Sequence, residues 1–124
     1  MDCKAFSVFV GIDVSKDEFN VCAISTPSSI IFSHVFEMFM QGFSSFVDNL
    51  SFFSKNSIIL AMESTGCYHL NLLSLLSLNN FSCIVFNPLT IKDSPSISLR
   101  KTKTDIIDAR SIAHTLFYLA LHSM

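Results

Sequence analysis

Four carboxylates in this chain stand where they could work together: Asp13 in GIDVSK, Glu63 in MESTG, and Asp105 with Asp108 in KTKTDIIDAR. Two readings compete for the last pair. Thr102 followed three residues later by Asp105 has the form of a capping box, and acids in a first helical turn suit the helix dipole. Downstream, however, Ala109, Ile112, Ala113, Leu116 and Ala120 recur at helical spacing and define one apolar stripe, with Arg110, His114 and Tyr118 on the other side. At about 100° per residue, Asp105 and Asp108 extend that stripe towards the N-terminus. Capping alone gives acids no reason to follow a core-facing stripe; a meeting with other groups at the edge of a core does. Asp13 or Glu63 taken singly is an ordinary acid of a turn or loop. Taken together, each ends an apolar run, and that placement calls for the elements around them.

The run FSVFVGIDVS is β-branched and aromatic and ends in a polar cluster, which predicts a central strand. EFNVCAIST follows after a tight hairpin. A turn at Thr26 to Ser29 leads to a third strand in IIFSHVFEM. Phe43, Phe46, Val47, Leu50 and Phe53 then change the period to that of an amphipathic helix. SIILAME reads as a strand buried on both faces. Gly66 to Leu78 is of helical length, FSCIVFNP is a further buried strand stopped by Pro88, and Leu89 to Lys101 is a loop. A last helix is expected from about Thr104 almost to the end. The order β-β-β-α-β-α-β-α predicts an α/β mixed sheet with helices packed on it, as in the ribonuclease H-like fold and in the first half of actin-like ATPase domains.

In that topology the first and fourth strands are parallel neighbours, and their carboxyl ends, where ligands gather in such sheets, carry Asp13 and Glu63. The last helix, crossing that edge, brings Asp105 and Asp108 to the same cleft. Four carboxylates so crowded repel one another unless cations stand between them. Mg²⁺, or Mn²⁺, suits an all-oxygen ligand set. Two such ions about 4 Å apart stabilise both the attacking and the leaving oxygen of a phosphodiester displacement.

The composition bounds the remaining possibilities. The 124 residues form one domain with a sizeable core: 50% are hydrophobic, 15% charged, and 13 are phenylalanine. A net charge of -2 provides no global basic field, so nucleic-acid binding has to rest on a local patch. Cys3, Cys22, Cys67 and Cys83 are scattered without a C-x-x-C pair, which argues against a zinc knuckle or disulfide framework. The expected compartment is therefore the cytoplasm. No secretory signal opens the chain, and the apolar region from Leu70 to Phe86 is interrupted by polar residues, short of the roughly 20 apolar residues of a membrane span.

GIDVSK, MESTGCY, Asn87-Pro88 and KTKTDIIDARSIA together resemble the DEDD transposases of bacterial insertion sequences, the IS110 group, over nearly the whole chain. The resemblance implies a RuvC-like, ribonuclease H-related first domain over residues 1–124, with the acidic tetrad at Asp13, Glu63, Asp105 and Asp108. It further implies Mg²⁺- or Mn²⁺-dependent DNA strand cleavage in transposition and recombination, on branched or junction DNA. Family members carry a second domain with a serine nucleophile, form homo-oligomers and in some cases use a structured guide RNA. Since that second domain has no counterpart here, the chain is expected to be an N-terminal fragment, inactive in recombination by itself.

Arg100, Lys101 and Lys103 are candidates for phosphate contacts, against the alternative of a solvated basic loop. Lys16, with Ser15, has the same two readings: phosphate positioning or a polar hairpin. His69 and His114 lack partners at metal-ligand spacing, and the Phe43 stripe lacks the interleaved basic residues of a base-stacking surface. Two alternatives stand beside the recombinase: a non-catalytic remnant or interaction module with the same fold, and an actin-like sugar kinase or ATPase fragment. The latter shares GIDV, but with only three glycines the chain has no second phosphate-cradling loop.

Overall fold

The computed structural model describes residues 6–64, 67–86 and 108–122. Its elements are β1 (Val8–Val14), β2 (Glu18–Thr26), β3 (Ser29–Glu37), α1 (Met40–Leu50), β4 (Ile58–Glu63), α2 (His69–Leu78), β5 (Ser82–Phe86) and α3 (Ala109–Leu121). Among the described residues these elements follow one another in the β-β-β-α-β-α-β-α sequence that the patterns predict. The strands form one five-stranded sheet in the order β3-β2-β1-β4-β5. β1 pairs antiparallel with β2 and parallel with β4, and β4 pairs parallel with β5. This mixed α/β sheet agrees with a ribonuclease H-like fold.

Period-two alternation divides β1 between two cores. Val8, Val10, Ile12 and Val14 join Phe19, Phe46, Leu50, Leu60, Met62, Leu72 and Leu76 on the face covered by α1 and α2. Phe9 joins Cys22, Ile24, Ile59, Ala61 and the stripe Ala109, Ile112, Ala113, Leu116 and Ala120 on the face covered by α3. The first core is held by a cluster of aromatic rings: Phe19 lies 5.4 Å from Phe36 and 5.2 Å from Phe46, centroid to centroid. Gly42 allows α1 to turn back onto the end of β3, since a Cβ there would collide with the Glu37 carbonyl. β4 is buried on both faces, as its unbroken apolar run requires. β5 is only half-buried over most of its length, less than its sequence suggests, because it pairs with β4 on one side only among the described strands.

Three expected details change. α2 begins at His69 rather than near Gly66. Asp108 has extended backbone angles, so α3 begins at Ala109 rather than near Thr104. His114, expected opposite the stripe with Arg110 and Tyr118, is buried together with Ser111 and Thr115, whereas Arg110 and Tyr118 are exposed. The apolar stripe thus understates the buried surface of α3. No described helix is long and apolar enough to cross a membrane.

Candidate functional site

Asp13 and Glu63 reach the same face by counting. Gly11 pairs with Ala61 in the parallel register of β1 and β4, and two residues further along each strand stand Asp13 and Glu63. Alternation then places both on the α3 face, which Ala61 and Phe9 already occupy. Asp13 sits at the carboxyl end of the central strand and Glu63 at the carboxyl end of its neighbour, side by side as the topology predicted.

Gly11 sets how closely α3 approaches them. A Cβ on Gly11 would run into the Ala109 carbonyl and lie 2.5 Å from the Ala113 amide nitrogen, so the first turn of the helix rests directly on the strand backbone. Ala109 and Ala113 leave equally little side chain in the contact. This is the close backbone approach that a glycine inside a strand often signals.

Asp108 stands at the start of that turn and does two things. Its carboxylate accepts a hydrogen bond from the Ser111 amide at 2.8 Å, which makes it the N-cap of α3. The same carboxylate lies near enough to Asp13 to act on its titration. Capping and site membership, which compete in the sequence, coincide in one residue. Asp105 and the proposed capping partner Thr102 lie outside the described residues, as do Arg100, Lys101 and Lys103.

The Asp13 carboxyl is pushed up from 3.8 to about 6, first by burial, then by the charges of Glu63 and Asp108. Three of the four predicted acids are therefore electrostatically joined. Among the described residues no group of three or more His, Cys, Asp or Glu side chains is arranged to hold a metal ion, and the fourth acid, Asp105, is outside them. The donor set nevertheless suits a hard divalent cation: every joined group is a carboxylate, and their mutual repulsion is what a cation between them relieves.

The register also reveals neighbours that motif reading misses. Asp13 pairs with Asn20 on β2, and Gly11 pairs with Cys22. Residues in register across strands share a face, so Asn20, Asp13 and Glu63 form a row, with Phe86 continuing it on β5 opposite Glu63. The signal was available: counting outward from the tight turn pairs Val14 with Phe19 and Asp13 with Asn20. Cys22 lies beneath the first turn of α3; burial raises its thiol pKa, Arg110 lowers it and Asp108 raises it. Cys22, Cys67 and Cys83 are free thiols, and burial pushes Cys83 up to about 12.

Lys16 is exposed in the β1–β2 turn. The Ser15 hydroxyl donates to the Glu18 carbonyl at 2.8 Å and closes the hairpin. The serine is thereby explained by the turn, and the segment after β1 is not shaped as a phosphate-cradling loop. His69 is buried at the start of α2, on the other side of the sheet from Asp13.

The family model of the IS110-type DEDD transposases, described as a transposase, matches residues 10–124. No curated protein matches the chain.

Proposed function

The chain belongs to the IS110-type DEDD transposase family, and on that premise we propose that it supplies the cation-binding half of a DNA strand-cleaving site. Membership implies an insertion-sequence transposase domain with DNA as its partner. Asp13, Glu63 and Asp108, with Asp105, would hold Mg²⁺ or Mn²⁺. The observation that carries this reading is the placement of Asp13 and Glu63 at the carboxyl ends of the parallel neighbours β1 and β4, with Asp108 capping the helix turn that rests on Gly11; the raised Asp13 pKa, caused first by burial and then by Glu63 and Asp108, agrees with it. Such crowding without a bound cation costs stability.

When bound, the divalent ions polarise the phosphodiester and stabilise the attacking and leaving oxygens. The chain's own residues keep the acids in place. β1 and β4 fix Asp13 and Glu63 through backbone pairing, and the Ser111 amide orients Asp108. Phe86, in register with Glu63, and Ile59 belong to the apolar cluster on the same face of the sheet. Branched DNA is the substrate class; a structured guide RNA, self-association and a serine-bearing second domain complete the family's reaction.

Thermal melts of the purified chain with and without millimolar Mg²⁺ test the reading. The ion raises the melting temperature of the unmutated protein, because a ligand of the native state stabilises it by mass action. Asp13→Asn and Glu63→Gln remove the increase. Metal-dependent nicking of four-way-junction DNA is lost in the same variants. Identical melts together with no nicking by the unmutated chain would leave the non-catalytic module as the correct reading.

A further inference from the structure

The acids occupy only part of the cleft. β1 and β4 supply Asp13 and Glu63, and the remaining flank is β2, whose residue in register with Asp13 is Asn20. Asn20 is half-buried. Its amide carries two N–H donors, and among the described residues it makes no side-chain hydrogen bond.

Above this flank lies the first turn of α3. Its Ala109 carbonyl rests on Gly11, and Gly11 is the register partner of Cys22, two residues along β2 from Asn20 on the same face. Arg110 follows Ala109 in that turn and is exposed, with no ion pair among the described residues. Its charge lowers the pKa of the Cys22 thiol, which burial raises, so it is felt at β2.

The flank therefore combines a neutral amide and a permanent cation, both with unused donors, beside a group of acids. Cations bound by the acids would hold one phosphate, and the DNA strand must leave the site past one of its sides. A phosphate oxygen accepts hydrogen bonds only, and a guanidinium presents a planar fork that fits it. The β5 side offers no such donors in this row, since Phe86 faces Glu63 there.

We propose that Asn20 and Arg110 form the phosphate-binding flank of the cleft, taking non-bridging oxygens of the DNA strand next to the cation-bound phosphate. This rests on the cation-dependent reading of the acids but assigns a separate role to separate residues. Phosphate contacts of this kind position the strand and carry no sequence information.

The experiment measures binding of fluorescent four-way-junction DNA to the full chain by anisotropy, in Ca²⁺, across a salt series. Mn²⁺ stabilisation is measured in parallel by thermal melts. Arg110→Gln should weaken DNA binding by about tenfold and reduce the slope of log affinity against log salt by about 1, with an unchanged Mn²⁺ midpoint. Asn20→Ala should weaken binding by a smaller factor with the salt slope retained, because it removes donors and no charge. Arg110→Lys, which keeps the charge but loses the fork, should retain the slope and recover part of the affinity.

Unchanged DNA affinity in both Arg110→Gln and Asn20→Ala would overturn the proposal, as would a shifted Mn²⁺ midpoint with unaltered DNA binding. If Arg110→Gln does not fold, the Lys and Asn20→Ala variants decide by the same criteria. Cation stabilisation that persists while these variants bind DNA normally removes this assignment and leaves the acid site standing. Absence of both cation and DNA effects in the unmutated chain removes both.

Discussion

The two faces of the sheet are packed to different depths. Against α1 and α2 the residues are bulky: Phe19, Phe36, Phe46, Leu50, Leu60, Met62, Leu72 and Leu76. Against α3 they are small at the point of closest approach: Gly11, Ala61, Ala109 and Ala113. The thick face buries more apolar surface and carries no acid in its core. The thin face gives up that burial for proximity, and both strand acids and the capped helix end are there. Of the three described helices, only α3 has a side-chain N-cap; the N-cap residues of α1 and α2, Phe39 and Tyr68, provide none. Where an element has only to bury area, its end is loosely specified. In α3, whose N-cap is the Asp108 carboxylate, the first turn is fixed by a side-chain hydrogen bond.

The sharpest way to break this contrast is to damage each face by itself. Phe46→Ala on the thick face empties a fully buried aromatic site among Phe19, Phe36 and the strands, and should cost about 3–5 kcal/mol. Denaturant unfolding measures it. If the variant remains folded, its Mg²⁺-induced increase in melting temperature should match that of the unmutated chain.

Gly11→Ala on the thin face should cost less, about 1–3 kcal/mol, since it adds one methyl against backbone that has to shift. Its effect on the site should be larger than that of Phe46→Ala, because the displaced turn carries Asp108. The Mg²⁺ increase should shrink by at least half. A variant that lost stability but kept the full increase would show that the acids do not depend on the close approach.

The smallest effect is electrostatic. Because the folded-state pKa of Asp13 is raised, its neutral form is the one the fold prefers; the benefit is complete below about pH 3.8 and lost as pH rises through about 6. Discounted for its partial exposure, the loss is roughly 1 kcal/mol. Asp13→Asn should lack this component, so the stability difference between the two proteins, measured without divalent cation, should grow in favour of the variant from pH 4 to pH 7. A difference that stays constant over that range would show that Asp13 is not crowded.

The strand order and the thin-face stripe were legible because each is written in local periodicity. β1, β4 and the Phe46 helix are long or uniformly apolar, so little competes with their patterns. The joint placement of Asp13 and Glu63 was legible once the topology made β1 and β4 parallel neighbours. The start of α3 was not, because Thr102 with Asp105 has the form of a capping box further upstream, and only the backbone angles of Asp108 mark it as the cap. Burial of His114 was hidden because a polar residue gives no apolar signal when it is enclosed. Asn20 required register, which belongs to two strands at once and to no single motif.

The contact between Gly11 and the first turn of α3 also makes the helix a lever with very unequal arms. The fulcrum lies at Ala109 and Ala113, so Asp108 sits on a short arm only a residue beyond it, whereas Leu121 ends an arm of about 12 Å, at 1.5 Å of rise per residue. A tilt that swings the far end by about 2 Å displaces Asp108 by well under 1 Å on that geometry. Motion imposed at the carboxyl end of the helix is thus geared down before it reaches the acids.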